Sequence, residues 1–378
     1  YDISKSDTNA YYERKPDYFV KTDSSGLFKF ENIRNGYFRI LAFQDKNNNL
    51  IPDFVSEKAG FLPDTLRLKT DFENKQIELF SADTDTVKVK RKTPRANTFL
   101  FGLSKPVKDV QLVATNDSLM LPFSFSPTEI TFYKDINKKI DSLSVQLKLI
   151  DSTNRVSIIQ DKVKFLVSTP TKKTNTEVTW TTTPEARKQV VELSDIKIKT
   201  LVPIDTIKEN KITIRKDTVS TIPFQLFKLS STEFLITLSN IITQKETIGI
   251  KLDNGALTSV LGDTNTIKRV EINVLPKSET GQLTLILKEE CKTCFVELLE
   301  ATNLAVVKKI EINKKTIFTN LLGGDYRFRI IEDLNKNMFW DNGDLKNNIL
   351  PEKVYFHPEL IKIKTNFEIE QQIDNFLK

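Results

Sequence analysis

Two loops rich in aspartate and asparagine hold the residue types best suited to chemistry in this chain. The first contains Asp45, Asn47, Asn49 and Asp53, and the second repeats them with identical spacing as Asp333, Asn335, Asn337 and Asp341. Side-chain oxygens at alternate positions can converge on a hard cation such as Ca²⁺, which takes about six to eight oxygen ligands. Glu57 lies near enough along the chain to close the first site. The pattern therefore predicts two calcium sites.

Both loops depart from the EF-hand pattern. Leu50 and Met338 stand at the sixth position, where that loop needs glycine. The second loop has no acid at the offset of Glu57, and Asp344 could substitute. With few charged ligands, such sites would bind calcium with roughly millimolar affinity. The alternative is that the same side chains accept hydrogen bonds from nearby backbone N–H groups in Asx turns.

The two loops lie within a longer internal repeat. Upstream, Phe30, Asn32, Gly36 and Arg39 recur in register as Phe318, Asn320, Gly324 and Arg327. Downstream, after an offset of seven residues, Glu57, Lys58, Phe61 and Pro63 match Glu352, Lys353, Phe356 and Pro358. A repeat of this length predicts one structural module present twice, near the two ends of the chain.

Apolar and polar residues alternate through much of the sequence. The alternation runs through residues 28–30, 145–149, 234–238, 270–274 and 283–287. With turn clusters between the runs, this pattern is typical of half-buried antiparallel strands. The sequence therefore predicts an all-β chain of tandem antiparallel β-sandwich domains. A single helix is also predicted, with Thr183 as its cap and Pro184 in its first turn.

Four units are predicted along the 378 residues. Residues 1–81 hold the first copy of the repeat, which is expected to be incomplete at its N-terminal end. Residues 82–188 form a second β-sandwich domain that ends in a Thr-rich linker. Residues 189–278 form a third β-sandwich domain, and residues 279–378 hold the complete second copy.

The charge pattern argues against nucleic acid as a partner. The net charge is +6, but Lys and Arg alternate with apolar residues, as in 66–69, 196–199 and 361–364. Such cations line the solvated faces of strands and form no platform with stacked aromatic rings. No apolar run approaches the roughly 20 residues that a membrane-spanning helix needs.

Catalysis is not expected. A hydrolase triad or a cysteine protease needs a histidine beside its nucleophile. The only histidine, His357, takes the place of Leu62 in the first copy, which favours packing. Cys291 and Cys294 are the only cysteines, and they are expected to form a local disulfide or a free pair in a hairpin.

The repeated module contains KTDSSGLFKFENI at 21–33 and GYFRILAFQD at 36–45. These stretches are similar to the transthyretin-like, carboxypeptidase-regulatory-like β-sandwich. Within residues 189–278, TIGIKLDNGALTSVLGDTN at 247–265 resembles part of a bacterial Ig-like domain. Together these segments resemble a family of cell-surface lipoproteins of Bacteroidota. The resemblance implies a place in the outer membrane, at the cell surface or in the periplasm of a Gram-negative bacterium. Membrane contact is implied only through an upstream lipid anchor that this chain does not contain.

A non-enzymatic scaffold or accessory subunit is the function that this resemblance implies. Its partners would be subunits of an outer-membrane protein complex, such as the β-barrel assembly machinery. The alternative is an adhesin or glycan-binding surface protein that uses the Asp/Asn loops. Trp340 lies inside the second loop and is a candidate partner-binding residue, since exposed aromatic rings bury a large area on binding. Packing of Trp340 across its own loop is the other interpretation.

Six Asp-Ser/Thr-aliphatic triplets resemble the O-glycosylation acceptor of Bacteroidota. The candidate hydroxyl residues are Thr65, Thr86, Ser118, Ser142, Thr206 and Thr218. The same residue types also cap polar turns before strands. Glycosylation is therefore an expectation that an intact mass can test.

Overall fold

A computed structural model describes residues 1–3, 11–54, 56–81, 85–113, 120–138, 140–151, 153–166, 177–217 and 220–374. These residues form thirty β-strands and no α-helix, with short 3₁₀ turns at Tyr11–Glu13, Glu209–Lys211 and Lys277–Glu279. All but two of their strand pairs are antiparallel. The prediction of an all-β chain of tandem antiparallel sandwiches is confirmed.

The first copy of the repeat forms two small sheets. Its strands are β1 (Gly36–Phe38), β2 (Leu41–Phe43), β3 (Lys58–Phe61), β4 (Leu66–Leu68) and β5 (Phe80–Ser81). β1 pairs with β4, and β3 lies between β2 and β5. The core is largely aromatic, with Tyr1, Tyr11, Tyr12, Phe61 and Phe80 buried. The alternating run at 28–30 forms no strand, so that part of the strand prediction is wrong.

The second unit is a two-sheet sandwich. Its strands are β6 (Val89–Pro94), β7 (Thr98–Leu103), β8 (Val107–Val113), β9 (Phe123–Ser126), β10 (Glu129–Tyr133), β11 (Ser142–Asp151) and β12 (Val156–Lys164). One sheet has the order β6-β7-β10-β9 and the other β12-β11-β8. Phe101, Phe132, Leu147 and Leu149 are fully buried between the two sheets. β12 is an edge strand of its sheet.

The third unit is the largest sandwich. Its strands are β13 (Trp180–Thr183), β14 (Gln189–Val190), β15 (Leu193–Thr200), β16 (Ile204–Ile207), β17 (Ile212–Arg215), β18 (Phe224–Lys228), β19 (Glu233–Ile242), β20 (Glu246–Leu252), β21 (Leu257–Ser259) and β22 (Lys268–Val274). The two main sheets have the orders β13-β15-β19-β18 and β14-β22-β20-β17, and β16 pairs with β21. Val178 and Trp180 belong to the core of this unit, which therefore reaches upstream of the boundary predicted after residue 188.

The helix predicted from Pro184 is wrong. β13 ends at Thr183, and Gln189 and Val190 already form β14, which pairs with β22 in parallel. The short connection between the two strands leaves no length for a helix. Val190 packs against the core of the third unit, so tertiary pairing overrides the local capping signal.

The second copy of the repeat forms a larger sandwich than the first. Its strands are β23 (Gly281–Leu287), β24 (Cys294–Glu300), β25 (Val306–Glu311), β26 (Lys315–Leu321), β27 (Gly324–Glu332), β28 (Val354–Phe356), β29 (Ile361–Ile363) and β30 (Glu368–Ile373). One sheet has the order β26-β23-β30, and the other has the order β25-β24-β27-β28, with β29 also on β27. A disulfide joins Cys291, in the connection before β24, to Cys294, the first residue of β24, so the two cysteines are paired and not free.

The two copies pair their equivalent strands in the same register. Leu41 lies opposite Phe61 in the first copy, as Arg329 lies opposite Phe356 in the second. The β1–β4 pair likewise matches the pair of β27 and β29. Both copies therefore place the Asp/Asn loop between equivalent strands, after β2 in one and after β27 in the other.

An ion-pair network crosses three strands of the second copy. Glu297 on β24 is buried, and its Oε2 accepts a hydrogen bond of 2.7 Å from Nε of Arg329 on β27. The ammonium of Lys309 on β25 lies 3.4 Å from the other carboxylate oxygen. Leu41 stands in the place of Arg329 in the first copy.

Candidate functional site

In the first loop, the side chains of Asp45, Asn47 and Asn49 bond the loop's own backbone. The carboxylate of Asp45 accepts from the N–H groups of Asn49 and Leu50, both at 3.1 Å. The side-chain oxygen of Asn47 also accepts from Asn49 N–H at 3.0 Å, and that of Asn49 accepts from Ile51 N–H at 2.7 Å. These are the Asx-type bonds of the alternative interpretation.

Glu57 closes the first loop. Its side chain is buried, with Oε1 accepting from Lys46 N–H and Oε2 from Asp53 N–H, both at 2.9 Å. One carboxylate thus ties the start of the loop to its end. The sequence-based prediction that Glu57 completes the loop agrees with this geometry, although the partners observed are backbone N–H groups.

The second loop repeats these contacts atom for atom. The carboxylate of Asp333 accepts from Asn337 N–H at 3.0 Å and from Met338 N–H at 2.8 Å. The side-chain oxygen of Asn335 accepts from Asn337 N–H at 3.1 Å, and that of Asn337 accepts from Phe339 N–H at 2.6 Å. The repeated sequence therefore encodes a repeated hydrogen-bond pattern.

Glu352 closes the second loop, and the prediction that Asp344 substitutes there is wrong. Glu352 Oε1 accepts from Leu334 N–H and Oε2 from Asp341 N–H, both at 2.9 Å, as Glu57 does in the first loop. Asp344 instead accepts from the guanidinium of Arg155 in the second unit at 3.3 Å. The match of Glu57 with Glu352 in the downstream repeat identifies Glu352 as the closing residue. Its spacing from Asp341 does not, because residues are added between the two.

The two loops differ at their last aspartate. Asp341 is half-buried, and its Oδ2 accepts from the side-chain amides of Asn335 at 2.5 Å and Asn337 at 2.8 Å. Asp53 is exposed, and its Oδ2 accepts from the hydroxyl of Ser56 at 2.7 Å. The second loop therefore draws its polar side chains closer together.

Both loops place apolar residues in the left-handed backbone region. Leu50 has φ of 62° and Met338 has φ of 60°. This is the sixth position, for which the EF-hand pattern asks for glycine because a Cβ is unfavourable there. The backbone thus takes the turn of a cation-binding loop without the glycine, and the carboxylate bonds to residues 50 and 338 hold it in place.

Burial has the largest effect on the pKa of Glu352, the residue that closes the second loop. It raises the pKa of Glu352, and the carboxylates of Asp341 and Asp333 raise it further, while the two N–H donors lower it. Within the part of the chain that the structure describes, no group of three His, Cys, Asp or Glu side chains could hold a metal ion. The oxygen-only donor set suits a hard cation, but its oxygens already accept backbone N–H bonds. Calcium binding at Asp45, Asn47, Asn49, Asp53 and Glu57, and at Asp333, Asn335, Asn337 and Asp341, stays a prediction.

Trp340 packs across the second loop, and His357 packs on β27. The indole N–H of Trp340 donates to the carbonyl oxygen of Glu352 at 2.9 Å, and the residue is half-buried. The ring of His357 stacks on Phe328 with centroids 4.5 Å apart, and burial lowers the pKa of His357. These contacts are structural, and a partner-binding role for Trp340 stays a prediction.

Four of the six glycosylation candidates lie in described residues. Thr65, Thr86, Ser142 and Thr206 are all exposed. Ser118 and Thr218 lie outside the described residues. Exposure is necessary for modification, and glycosylation itself stays a prediction.

Comparisons with known proteins give weak structural similarity. No protein-family model matches the chain, and no curated protein sequence matches it. The N-terminal part of the bacterial S-layer protein SbsC is 11% identical with a TM-score of 0.22, over 39% of this chain and 41% of that one. BcpA, the major pilin subunit of Bacillus cereus, is 12% identical with a TM-score of 0.18, over 67% and 89% of the two chains.

A protocadherin fragment is similar over a longer stretch. Cadherin domains 1–5 of protocadherin gamma B2 are 10% identical with a TM-score of 0.19, over 96% of this chain and 77% of that one. At these identities and TM-scores, no property of those proteins transfers to this chain. The search for membrane spans found no helix among the described residues that is long and apolar enough to cross a bilayer.

Proposed function

We propose that this chain is a non-enzymatic scaffold at the outer surface or on the periplasmic side of a bacterial outer membrane. It would act as an accessory subunit of an outer-membrane protein complex. The resemblance to surface lipoproteins of Bacteroidota suggests the β-barrel assembly machinery as one such complex. The observation that carries the proposal is that the polar side chains of both Asp/Asn loops are engaged in holding the loops in shape.

Contacts between the units support a scaffold with fixed spacing. The N–H of Ile136 in the second unit donates to the carbonyl oxygen of Val260 in the third at 3.1 Å. The hydroxyl of Ser231 in the third unit donates to the carbonyl oxygen of Phe123 in the second at 3.0 Å. Backbone partners of this kind fix relative position better than mobile surface ion pairs, whose contribution is small. A scaffold needs this property, whereas a flexible tether does not.

Sheet edges and loop tips are the surfaces that we expect a protein partner to use. β12 is an edge strand, and Val156 and Ile158 on it are exposed to 50% and 65%. An exposed edge with apolar side chains can accept a strand from another protein. This surface therefore gives the scaffold proposal a specific test.

Copurification tests the proposal. The tagged chain is expressed in a Bacteroidota host, and the envelope is solubilised in mild detergent before affinity capture. We expect one outer-membrane protein to be captured in stoichiometric amount, with its yield reduced at least tenfold by Ile158→Glu. Ile241→Glu is the matched control, because Ile241 on β19 is exposed to a similar degree, 63%, in a different unit.

Capture of no envelope protein by the wild-type chain would contradict the scaffold role. Binding to a glycan array, lost on Trp340→Ala, would then support the alternative function as an adhesin or glycan-binding protein. The half-buried Trp340 beside the exposed ring of Phe339 is the observation that favours this alternative. Aromatic rings can bury a large area against a bound partner.

A further inference from the structure

The second copy carries extra residues that its own loop does not need. Glu57 follows Asp53 closely in the first copy, whereas residues 342–351 separate Asp341 from Glu352 in the second. Both loops nevertheless make the same closing hydrogen bonds. Seven residues are added here, and they lie within residues 342–350, the segment that we call the insertion. The second loop is complete without this segment.

The insertion places an apolar side chain in the core of the first copy. Leu345 is only 4% exposed, and it belongs to the buried cluster that includes Tyr11, Tyr12, Phe61 and Phe80. Every other buried member of that cluster comes from the first copy. The first copy thus takes part of its core from the other end of the chain.

Polar contacts fix the position of the insertion on the first copy. The amide of Asn342 donates to the carbonyl oxygen of Ser81 at 2.5 Å, and that of Asn348 donates to the carbonyl oxygen of Pro63 at 2.9 Å. The side-chain oxygen of Asn348 accepts from the guanidinium of Arg39 at 3.1 Å. Three hydrogen bonds around one buried leucine make a specific contact, and nonspecific apolar association would not need them.

The contact uses a feature that both copies share. In the first copy the guanidinium of Arg39 donates to the carbonyl oxygen of Pro63 at 2.6 Å. In the second copy Arg327 donates to the carbonyl oxygen of Pro358 in the same way, at 3.2 Å. Asn348 bonds to both the guanidinium of Arg39 and the carbonyl oxygen of Pro63. The insertion therefore binds a pair of groups that the repeated module already brings together.

The insertion also has its own internal order. Asp344 and Ile349 exchange backbone hydrogen bonds at 2.7 and 2.8 Å, which closes the segment into a hairpin. A Cβ added to Gly343 would lie 2.7 Å from the ring of Phe80, so glycine is required for this close approach. Segments ordered before binding lose less entropy when they bind.

We propose that the insertion is a docking segment that binds the first copy and locks the two ends of the chain together. The first copy keeps its folded core only while the segment is bound. The occupant is the insertion of the same chain, since Arg155 of the second unit also holds Asp344 in place. The four units then form a closed arrangement instead of an open string.

Hydrogen exchange of the full chain tests the lock. Leu345→Asp places a charge in the first-copy core, so we expect amide exchange in β3 to accelerate by at least roughly 30-fold. Exchange in β24 and β27 should stay within about twofold of the wild type, because the second loop is complete without the insertion. Leu350→Asp is the matched control, since Leu350 lies in the same segment and is 45% exposed.

Three results would overturn the proposal. The first is unchanged protection of β3 in Leu345→Asp. The second is accelerated exchange throughout β24 and β27 in that variant, because the insertion would then be part of its own copy's fold. The third is a loss of β3 protection on dilution of the wild-type chain, which would place the insertion on a second chain. Protection that is independent of concentration supports closure within one chain.

Discussion

The two copies of the repeat share a loop but differ in their sheets. The strands of the second copy reach nine residues, whereas those of the first reach four. In the second copy β26 and β30 pair on either side of β23. The equivalent stretches of the first copy, residues 27–33 and 73–78, have similar sequences but form no strand, and Leu27 is 71% exposed.

The comparison indicates what a segment needs in order to form a strand. The alternating pattern makes a segment suitable for a half-buried sheet, but the strand forms only when a neighbour supplies hydrogen-bond partners. The loop, in contrast, keeps its shape in both copies because its partners are its own backbone N–H groups. Four experiments test this difference between the copies.

Removing the carboxylate that closes each loop should have the largest effect. Glu352→Ala and Glu57→Ala each leave two backbone N–H groups without an acceptor, which should lower the free energy of unfolding of that copy by about 3 kcal/mol. Hydrogen exchange combined with urea titration measures each copy separately. Glu289→Ala, at an exposed site of the second copy, is the control. A loss below about 1 kcal/mol would mean that water replaces the carboxylate.

Exchanging a residue between the copies should have the next largest effect. Arg329→Leu installs the first-copy residue opposite Phe356 and removes the guanidinium from the buried Glu297. We expect the second copy to lose about 2 kcal/mol, since Lys309 still lies beside Glu297. The double variant Glu297→Leu with Arg329→Leu should recover most of the loss in a urea titration. If the double variant is no more stable than the single one, the network is not the cause.

If the loops bind calcium, the ion should stabilise the folded state by a moderate amount. At a calcium concentration ten times the Kd, binding to the folded state alone stabilises it by about 1.4 kcal/mol. The melting temperature should then rise by several degrees with calcium and fall again with EDTA. Asp45→Asn and Asp333→Asn, made singly, would show which copy responds. Equal melting temperatures in calcium and EDTA would remove the metal prediction.

The smallest effect concerns pH. His357 has a lowered pKa in the folded state because it is buried, so the folded state resists the proton that the unfolded state accepts below about pH 6.5. The stability of the second copy should therefore be complete above that pH and should fall as the pH drops through the lower folded pKa. His357→Leu installs the residue found at Leu62 and should remove this part of the pH dependence of urea midpoints. If His357→Leu leaves the pH dependence of the urea midpoint unchanged, other titrating groups cause that dependence.

Much of the fold could be predicted from local pattern. The alternating runs at 145–149, 234–238, 270–274 and 283–287 lie within β11, β19, β22 and β23. Each has neighbours in its sheet, so pattern and pairing agree there. The run at 28–30 and the capping signal at Pro184 failed because pairing between distant segments decides the outcome.

In the candidate site, too, local contacts could be predicted from the sequence and contacts between distant segments could not. Asp45, Asn47 and Asn49 make contacts within a few residues, so their spacing was informative. The closing role of Glu352 was hidden by the insertion, although the register match contains it. The burial of Leu345 could not be predicted, because it depends on a surface formed at the opposite end of the chain.

Met338 has a practical consequence through its place in the second loop. It is one of only two methionines in the chain, and the other, Met120, is 49% exposed. A sample with labelled methionine methyl groups would therefore give a two-peak NMR spectrum. One peak would come from the half-buried Met338, whose backbone N–H donates to Asp333, and the other from the exposed Met120. The Met338 methyl signal would therefore report on an ion bound in the second loop, because Met338 lies in that loop.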